Sequence, residues 1–562
     1  MAAPTAGRTL SLWSASPGGD AVAGRDLVLE IPAEHGLELP VGAGLDDHLD
    51  ESTRLLVDRR ARERFREWSE RRSAALTVEG LDLTSICELE LLAQCFVPAA
   101  RVDIALPRAI EVAGARALTL RALAPGIAGV IRAVAAREGV ATSELSEAAS
   151  GATMRWRGPS TAVRAVAAAG LPARVRGRVL CVPYPNLTPV LRRLAAGDAR
   201  TRPVASGVLV PGLDLRSALE TAARGGWLGY PGARARRLAG QPVASAIDAA
   251  ARGPVQGDEL ARALDAWALA YVREHASGVL ASARRARRVF GADRVRALVV
   301  PFDEPPAMAG LVTAARSAGV PSLIVQHGYD AELGVRDKTR VDVAALWSER
   351  DGEILRAESP ARGVVTGNPA AEQLAQAAPR AARCDRTLVL VDYHSRLSAR
   401  VPERVSQRHL EAALEAIAVA RPGTTAVVRP HPSTHGAEAR IPGPSGLRVE
   451  VDASAPIEGL LSGVDACIGA MSTATLQAAG HGVPVVYLDV AGLERPPPFD
   501  GSAVPVARDA EQLADALAAA VARPDVTGQA EMLDALGARP NATGAVCDIV
   551  EQLVERAGSP GA

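Results

Sequence analysis

Residues 465–489 read DACIGAMSTATLQAAGHGVPVVYLD. The short apolar run 465–469 ends in a turn of small and hydroxyl residues. A helix is expected over 473–481, and Gly-Val-Pro then opens a second apolar run, 483–488. A strand, a covering helix and a second strand in that order make a parallel pair. The same alternation extends outward in both directions. Strands are expected at 387–393, 424–429 and 447–451, and before them at 296–301, 321–326, 342–347 and 362–366. Further back they are expected at 8–13, 25–31, 116–121, 178–184 and 205–210, with helices at 304–318, 403–420 and 509–522. Runs such as ALVV and LVLV are apolar at successive positions, as strands covered on both faces are. The chain is therefore read as an α/β protein built on parallel sheets.

At 562 residues the chain exceeds what one core supports, so at least two domains are expected. A boundary falls after the strand RGVVT, at Gly367-Asn368-Pro369. An N-terminal α/β domain is placed at 1–367 with helical insertions (50–75, 84–97, 99–114 and 257–290). A hinge spans 368–386, and a C-terminal α/β domain with a closing helix at 543–557 spans 387–562. With 63 basic and 64 acidic side chains the balance lacks the basic excess of a nucleic-acid binder, and 3% aromatics leave little for stacking platforms. Six widely spaced cysteines have no metal-ligand spacing. Residues 1–20 carry no signal-like apolar core, and no long uncharged apolar run occurs, so a cytoplasmic location is expected. The Arg-rich segment 59–72 reads as a solvated face with pairs along the helix. The run Arg284–Arg288, with no acid nearby in sequence, is a candidate for anionic lipid.

In parallel sheets ligands bind beyond the carboxyl ends of the strands. After 424–429 stands Arg429-Pro430-His431-Pro432, whose prolines stiffen a loop that offers Arg429 and His431 to a phosphate. Ser472, Thr473 and Thr475 open the helix at 473, either as caps or as a phosphate cradle, and Gln477 follows one turn on. Neither a GxGxxG nor a GK[ST] motif is present to mark a dinucleotide or NTPase site. In the first half, Gln326-His327-Gly328-Tyr329 follows the strand PSLIVQ, and Asp303-Glu304 follows RALVVP. One carboxylate of that pair is a candidate base and the other a helix cap; capping alone accounts for both equally well. Asp392 stands at the end of 387–393, His394 directly after it, and Asn186 follows 178–184, all placed to line a cleft.

The order PSLIVQHGY, ALWSERDGEIL, VVTGNP, LVLVDYH, VVRPHPS, DACIGAMSTATLQAAGHGVPVVYLD resembles glycosyltransferases of the GT-B fold, two facing Rossmann-like domains with the active site between them. Within that fold it looks like bacterial surface-polysaccharide enzymes: sialyl- and polysialyltransferases, Kdo transferases and CDP-glycerol glycerophosphotransferases. The resemblance covers about 296–490. It implies that His431-Pro432 and Ser472-Thr473 hold the phosphate of a CMP donor, and that Asp303-Glu304 supplies the base. Here Pro305 replaces the glycine those families have after the acidic pair. Gln477 stands where many GT-B enzymes carry a ribose-binding glutamate. UDP-N-acetylglucosamine 2-epimerases share the fold and motif order, but have Glu-Ala-Gly where this chain has Gln326-His327-Gly328.

The resemblance implies transfer of a CMP-activated ulosonic acid to a cell-surface glycan. The nucleotide sugar is a substrate, and no cofactor or metal is required. His327 and His431 stand with Asp303 and Glu304 as catalytic candidates. A lipid-linked acceptor would bring the enzyme to the inner membrane face. Transfer from a CDP-alditol, 2-epimerisation and a non-catalytic role in polysaccharide assembly are the competing readings, in that order.

Overall fold

The computed structural model describes residues 8–13, 28–30, 45–121, 123–145, 179–182, 184–197, 203–205, 233–255, 257–291, 295–303, 306–329, 339–376, 384–391, 405–430, 443–452, 457–490, 492, 497–522 and 528–557. Glu304, Asp392, His394 and His431, and positions 206–210 of the strand expected at 205–210, lie outside them.

Among the described residues three parallel sheets carry the fold. The first orders its strands Val28–Glu30, Arg8–Trp13, Ala115–Arg121, Ala141–Leu145. The central sheet runs Arg362–Val365, Val343–Leu346, Ser322–Val325, Ala297–Val300, Val179–Cys181, Pro203–Ala205. The C-terminal sheet runs Arg448–Val451, Thr425–Pro430, Arg386–Val391, Ala466–Gly469, Val485–Leu488, Val506–Ala507. Among the described residues, the region expected from sequence as one N-terminal α/β domain thus holds two parallel sheets and the short antiparallel pair Thr77–Val78 and Leu81–Asp82; neither that pair nor the strand Ala141–Leu145 is among the strands expected from sequence.

The continuous apolar runs follow from period-2 geometry between two covered faces. In the central sheet Val179, Cys181, Ala297, Val299, Leu323 and Val325 point to one core. The alternate residues Leu180, Val182, Leu298 and Val300 point to another, which they share with the helical region. The C-terminal sheet divides in the same way: Leu388, Leu390, Val427 and Cys467 face one core, and Val389, Val391, Val428 and Ile468 the other. The long helix Glu259–Phe290 begins at Asp258, whose carboxylate accepts from Ala261 N at 2.9 Å. Its buried stripe (Leu260, Leu264, Ala268, Val272, Ala276, Val279) recurs at helical spacing and joins the shared core.

Two expectations from sequence change here. The closing helix, Ala542–Arg556, packs on the central sheet rather than on its own domain, because its stripe of Val546, Ile549, Val550 and Leu553 shares one strand face of that sheet with Leu187, Val190 and Leu194. The arginines pair at long range. Arg60 and Arg64 reach Asp103 on the helix Val97–Ala113, each at 2.9 Å, and Arg137 joins them at 2.7 Å. Burial pushes the Asp103 carboxyl up, but Arg64 and the other guanidiniums outweigh it and hold it below its ordinary value. Arg284 bonds Glu79, distant in sequence, with Nε to Oε2 at 3.0 Å, so that the run 284–288 has an acidic partner. Among the described residues no helix is long and apolar enough to cross a membrane.

The chain passes between the two six-stranded sheets twice, after Val365 and before Ala542, and the two passages touch. Asn368 N donates to Gly537 O at 2.7 Å. Glu372 accepts from Asn541 N and Thr543 N, both at 3.0 Å, at the start of the closing helix. Burial raises the Glu372 carboxyl and these hydrogen bonds lower it further, for a net downward shift. Gly537 is left-handed (φ 69°), and a Cβ there would stand 2.7 Å from Trp347 Cβ.

An alanine at 537 adds left-handed strain of about 1–2 kcal/mol to that collision. Gly423 is also left-handed but has nothing within 4 Å of an added Cβ. Gly537→Ala is expected to melt several degrees below Gly423→Ala; equal melting temperatures would show that the crossing tolerates the methyl. A second expectation concerns His409, fully buried on the helix Val405–Ala420. Burial pushes its imidazole down to about 4, against hydrogen bonds to the backbone of Leu488 and Leu390 that push it up. The unfolded chain titrates near 6.5. This contribution to stability is therefore whole above pH 6.5 and declines as the pH falls toward 4, by about 2 kcal/mol at pH 5. Unfolding at pH 7.5 and pH 5 should show His409→Gln losing less on acidification than the wild type, and equal losses would refute the assignment.

Candidate functional site

Both six-stranded sheets have a topological switch point. Counting strands in chain order within each sheet, the C-terminal one runs 3-2-1-4-5-6 and the central one 6-5-4-3-1-2. Successive connections leave to opposite sides between strands 1 and 4 of the former, and between strands 1 and 3 of the latter. A crevice opens beyond the carboxyl ends at such a point. In the C-terminal sheet it lies past Val391 and Gly469, where Ser472 and Thr473 stand. In the central sheet it lies past Cys181 and Val300, where Tyr184, Asn186 and Pro301–Asp303 stand.

The two carboxyl ends meet. The loop after Ser322–Val325 carries Gly328 and Tyr329 onto the start of the helix Thr473–Gly480, and Tyr329 N donates to Thr473 Oγ1 at 2.8 Å. A Cβ on Gly328 would sit 3.6 Å from the same oxygen, an ordinary contact. The Tyr329 hydroxyl donates to Pro497 O at 2.9 Å, its ring packs edge-on to Phe499 at 5.5 Å, and the Arg350 guanidinium lies 5.1 Å from its centroid.

The three hydroxyls at the helix start have separate duties. Ser472 is the N-cap, its Oγ accepting from Thr475 N at 3.4 Å. Thr475 is wholly buried and donates to Ala470 O at 2.6 Å. Thr473 is the half-buried one that accepts from the other sheet. Capping therefore accounts for Ser472 and Thr475, while Thr473 faces the crevice. Gln477 stands half-buried on the next turn of this helix. Arg429 turns away from the switch point, donating to Asp452 O at 3.0 Å beside the outer strand.

On the central side, three groups among the described residues hold His327. Its Nδ1 lies 2.9 Å from Pro301 O. A proline carbonyl only accepts, so Nδ1 carries a proton, and in the neutral ring that leaves the lone pair on Nε2. Phe302 and Tyr184 pack against the imidazole at centroid distances of 5.2 and 5.6 Å, and against each other at 5.4 Å. Burial raises the Tyr184 hydroxyl above its ordinary value. Asp303 is 1% exposed, and its Oδ2 accepts from Thr339 Oγ1 at 2.9 Å and from Arg340 N.

Gln326 and Asn186, expected to line the cleft, brace it from within. Gln326 is 2% exposed; its Oε1 accepts from Trp347 N at 2.9 Å and its Nε2 donates to Gly328 O at 3.0 Å. Asn186 Nδ2 donates to Gln326 O at 2.8 Å, and its Oδ1 is buried without a hydrogen-bond partner among the described residues. Sequence reasoning had passed over Phe302, Thr339, Arg340 and Trp347. Phe302, directly after the strand expected at 296–301, and Trp347, the last residue of the one expected at 342–347, carry a local signal; Thr339 and Arg340 carry none. Among the described residues no group of three or more His, Cys, Asp or Glu side chains could hold a metal ion.

No protein-family model matches the sequence, and no curated protein matches it. Solved structures share a distant likeness. The S. aureus MnaA–UDP co-structure aligns at 12% identity over 67% of this chain and 97% of that one, with a TM-score of 0.42. The UDP-GlcNAc 2-epimerase from Neisseria meningitidis bound to UDP-GlcNAc aligns at 12% identity over 67% and 100%, with a TM-score of 0.40. The wall teichoic acid polymerase TagF aligns at 11% identity over 50% of this chain and 76% of its own, with a TM-score of 0.34.

Proposed function

We propose that this chain is a glycosyltransferase that moves a CMP-activated ulosonic acid, sialic-acid-like or Kdo-like, to a growing cell-surface glycan. The observation that carries the proposal is the meeting of two parallel-sheet carboxyl ends at Tyr329 and Thr473. Each sheet brings its own switch-point crevice, so one side can take a donor while the other presents an acceptor. In this reading the donor's phosphate lies at the start of the helix Thr473–Gly480. Unsatisfied backbone N–H groups and the helix dipole favour negative charge there. His431 keeps its role as a second phosphate ligand. Arg429, paired with Asp452, has none.

The acceptor hydroxyl gives its proton to Nε2 of His327. Its oxygen bonds the donor's anomeric carbon as the bond from that carbon to the phosphate oxygen breaks, and the bonding pair leaves on CMP. The charge growing on that phosphate is what the helix start stabilises. Gln326, with its amide committed to Trp347 and Gly328, puts no carboxylate where an epimerase would need one. A peripheral place on the inner membrane face, for a lipid-linked acceptor, and independence of metal belong to the same proposal.

Thermal-shift titration with CMP, CDP, UDP and GDP, with and without EDTA, tests the donor side. Ligand at about 100 times its dissociation constant adds about 2.7 kcal/mol, a shift of a few degrees. The expected result is a shift selective for CMP and indifferent to EDTA. Selectivity for CDP would move the reading to alditol-phosphate transfer, and selectivity for UDP to a hexosyl donor. His327→Asn keeps a donor near the Nδ1 position and loses Nε2. It should retain the nucleotide shift and release CMP from CMP-N-acetylneuraminic acid about 10²–10⁴-fold more slowly; undiminished release would remove His327 as the base.

A further inference from the structure

Sequence order makes Asp303 one of two candidate bases, with Glu304, at a strand end in the switch-point crevice. Its surroundings give it a different task. The carboxylate is 1% exposed, too enclosed for an acceptor sugar to touch. Among the described residues Oδ2 takes two donors, the Thr339 hydroxyl and the Arg340 amide, and an uncharged oxygen can accept from both of these neutral groups.

Those donors are themselves anchored. Arg340 reaches the Ser85 carbonyl and lies 3.8 Å from Glu88, in the helical layer. Arg316 Nη2 donates to Arg340 O at 2.6 Å, and Ser359 Oγ to Thr339 O at 3.4 Å. The segment 339–340 is thus a fixed post, and Asp303 ties the turn Pro301–Asp303 to it. That turn supplies two of the three groups on His327: the Pro301 carbonyl at Nδ1 and the Phe302 ring at 5.2 Å.

We infer that Asp303 is a positioning residue: by holding the Pro301–Asp303 turn against Thr339 and Arg340 it sets the tautomer and orientation of His327, and it does not itself take the acceptor's proton. This rests on the transferase reading for its chemistry, though not for its geometry. A base needs its charge, and a tether needs only an acceptor oxygen. Asp303→Asn separates the two, since the amide oxygen can still accept from Thr339 and Arg340. Asp303→Ala removes the tether.

The experiment is CMP release from CMP-N-acetylneuraminic acid by the full chain. It is paired with NMR of ¹⁵N-histidine-labelled protein, in which the His327 signal among the 9 histidines is identified by its loss in His327→Asn. Asp303→Asn is expected to lose less than tenfold in turnover and to keep the Nδ1–H tautomer of His327. Asp303→Ala should lose about 10²-fold, as a base displaced by about an ångström does, and show a mixed tautomer. Thr339→Val, which removes one donor with little change of shape, should fall between them and covers the case of a misfolded alanine variant. The inference is overturned if Asp303→Asn loses 10³-fold with the His327 signal unchanged. It is equally overturned if neither Asp303→Ala nor Thr339→Val alters that signal. A wild type that releases no CMP would sink the donor assignment alone, and the NMR comparison would still decide the tether.

Discussion

Trp347 belongs by chain order to the central sheet and by packing to the C-terminal core, and the shape of the cleft depends on this double membership. It is 1% exposed among Leu388, Leu390, Val427 and Leu536. Its backbone N donates to the Gln326 side chain and its Nε1 to the Gln326 carbonyl, both at 2.9 Å. Burying an indole contributes about 1.5–3 kcal/mol or more, and each hydrogen bond about 0.5–1.5 kcal/mol net. The residue that fills the second core therefore also fixes where the strand Ser322–Val325 ends. Gln326 passes that constraint on. One end of its amide holds Trp347 and the other holds Gly328 O, which leads directly to Tyr329 and the contact with Thr473.

Much of this architecture is legible in the residues themselves. A strand buried on both faces reads as a near-continuous apolar run, and 297–300, 323–325, 388–391 and 485–488 show that pattern without help from context. The helix starting at Thr473 shows itself through Ser472, because an N-cap hydroxyl acts within three residues of itself. The function of the second hydroxyl is not local. Nothing near Thr473 in sequence says that its oxygen will meet the amide of Tyr329, 144 residues earlier.

The same distinction explains the departures. Arg284 reads as unpaired because its partner Glu79 is 205 residues away. The closing helix has an apolar stripe that local pattern detects, yet which of two sheets it covers depends on the chain crossing at Gly537. Asp303 reads as a candidate base because a carboxylate at a strand end usually meets solvent; Thr339 and Arg340, just ahead of the next strand of the same sheet, bond it instead. Residue type and spacing identify what a side chain can do. Whether it is left available to do it is set by contacts that arrive from elsewhere in the chain.

The two connections across the cleft are unequal, and the inequality says which end can open. At the crossing, Gly367 and Gly537 interlock so closely that a Cβ on Gly367 would lie 2.9 Å from Gly537 O. Trp347 and Glu372 close the same end with buried packing and paired amides. At the far end the described residues supply one backbone-to-hydroxyl bond, the Tyr329 hydroxyl bond to Pro497 and the contact of its ring with Phe499. Two hydrogen bonds and a partly exposed ring contribute about 2–4 kcal/mol, less than burial of Trp347 and the crossing together. Motion that widens the cleft breaks the Tyr329 contacts first and turns about the crossing. It would uncover the start of the helix at Thr473 while Gln326 still holds the base of the His327 loop, so that entry of a ligand need not disturb the groups placed around the imidazole.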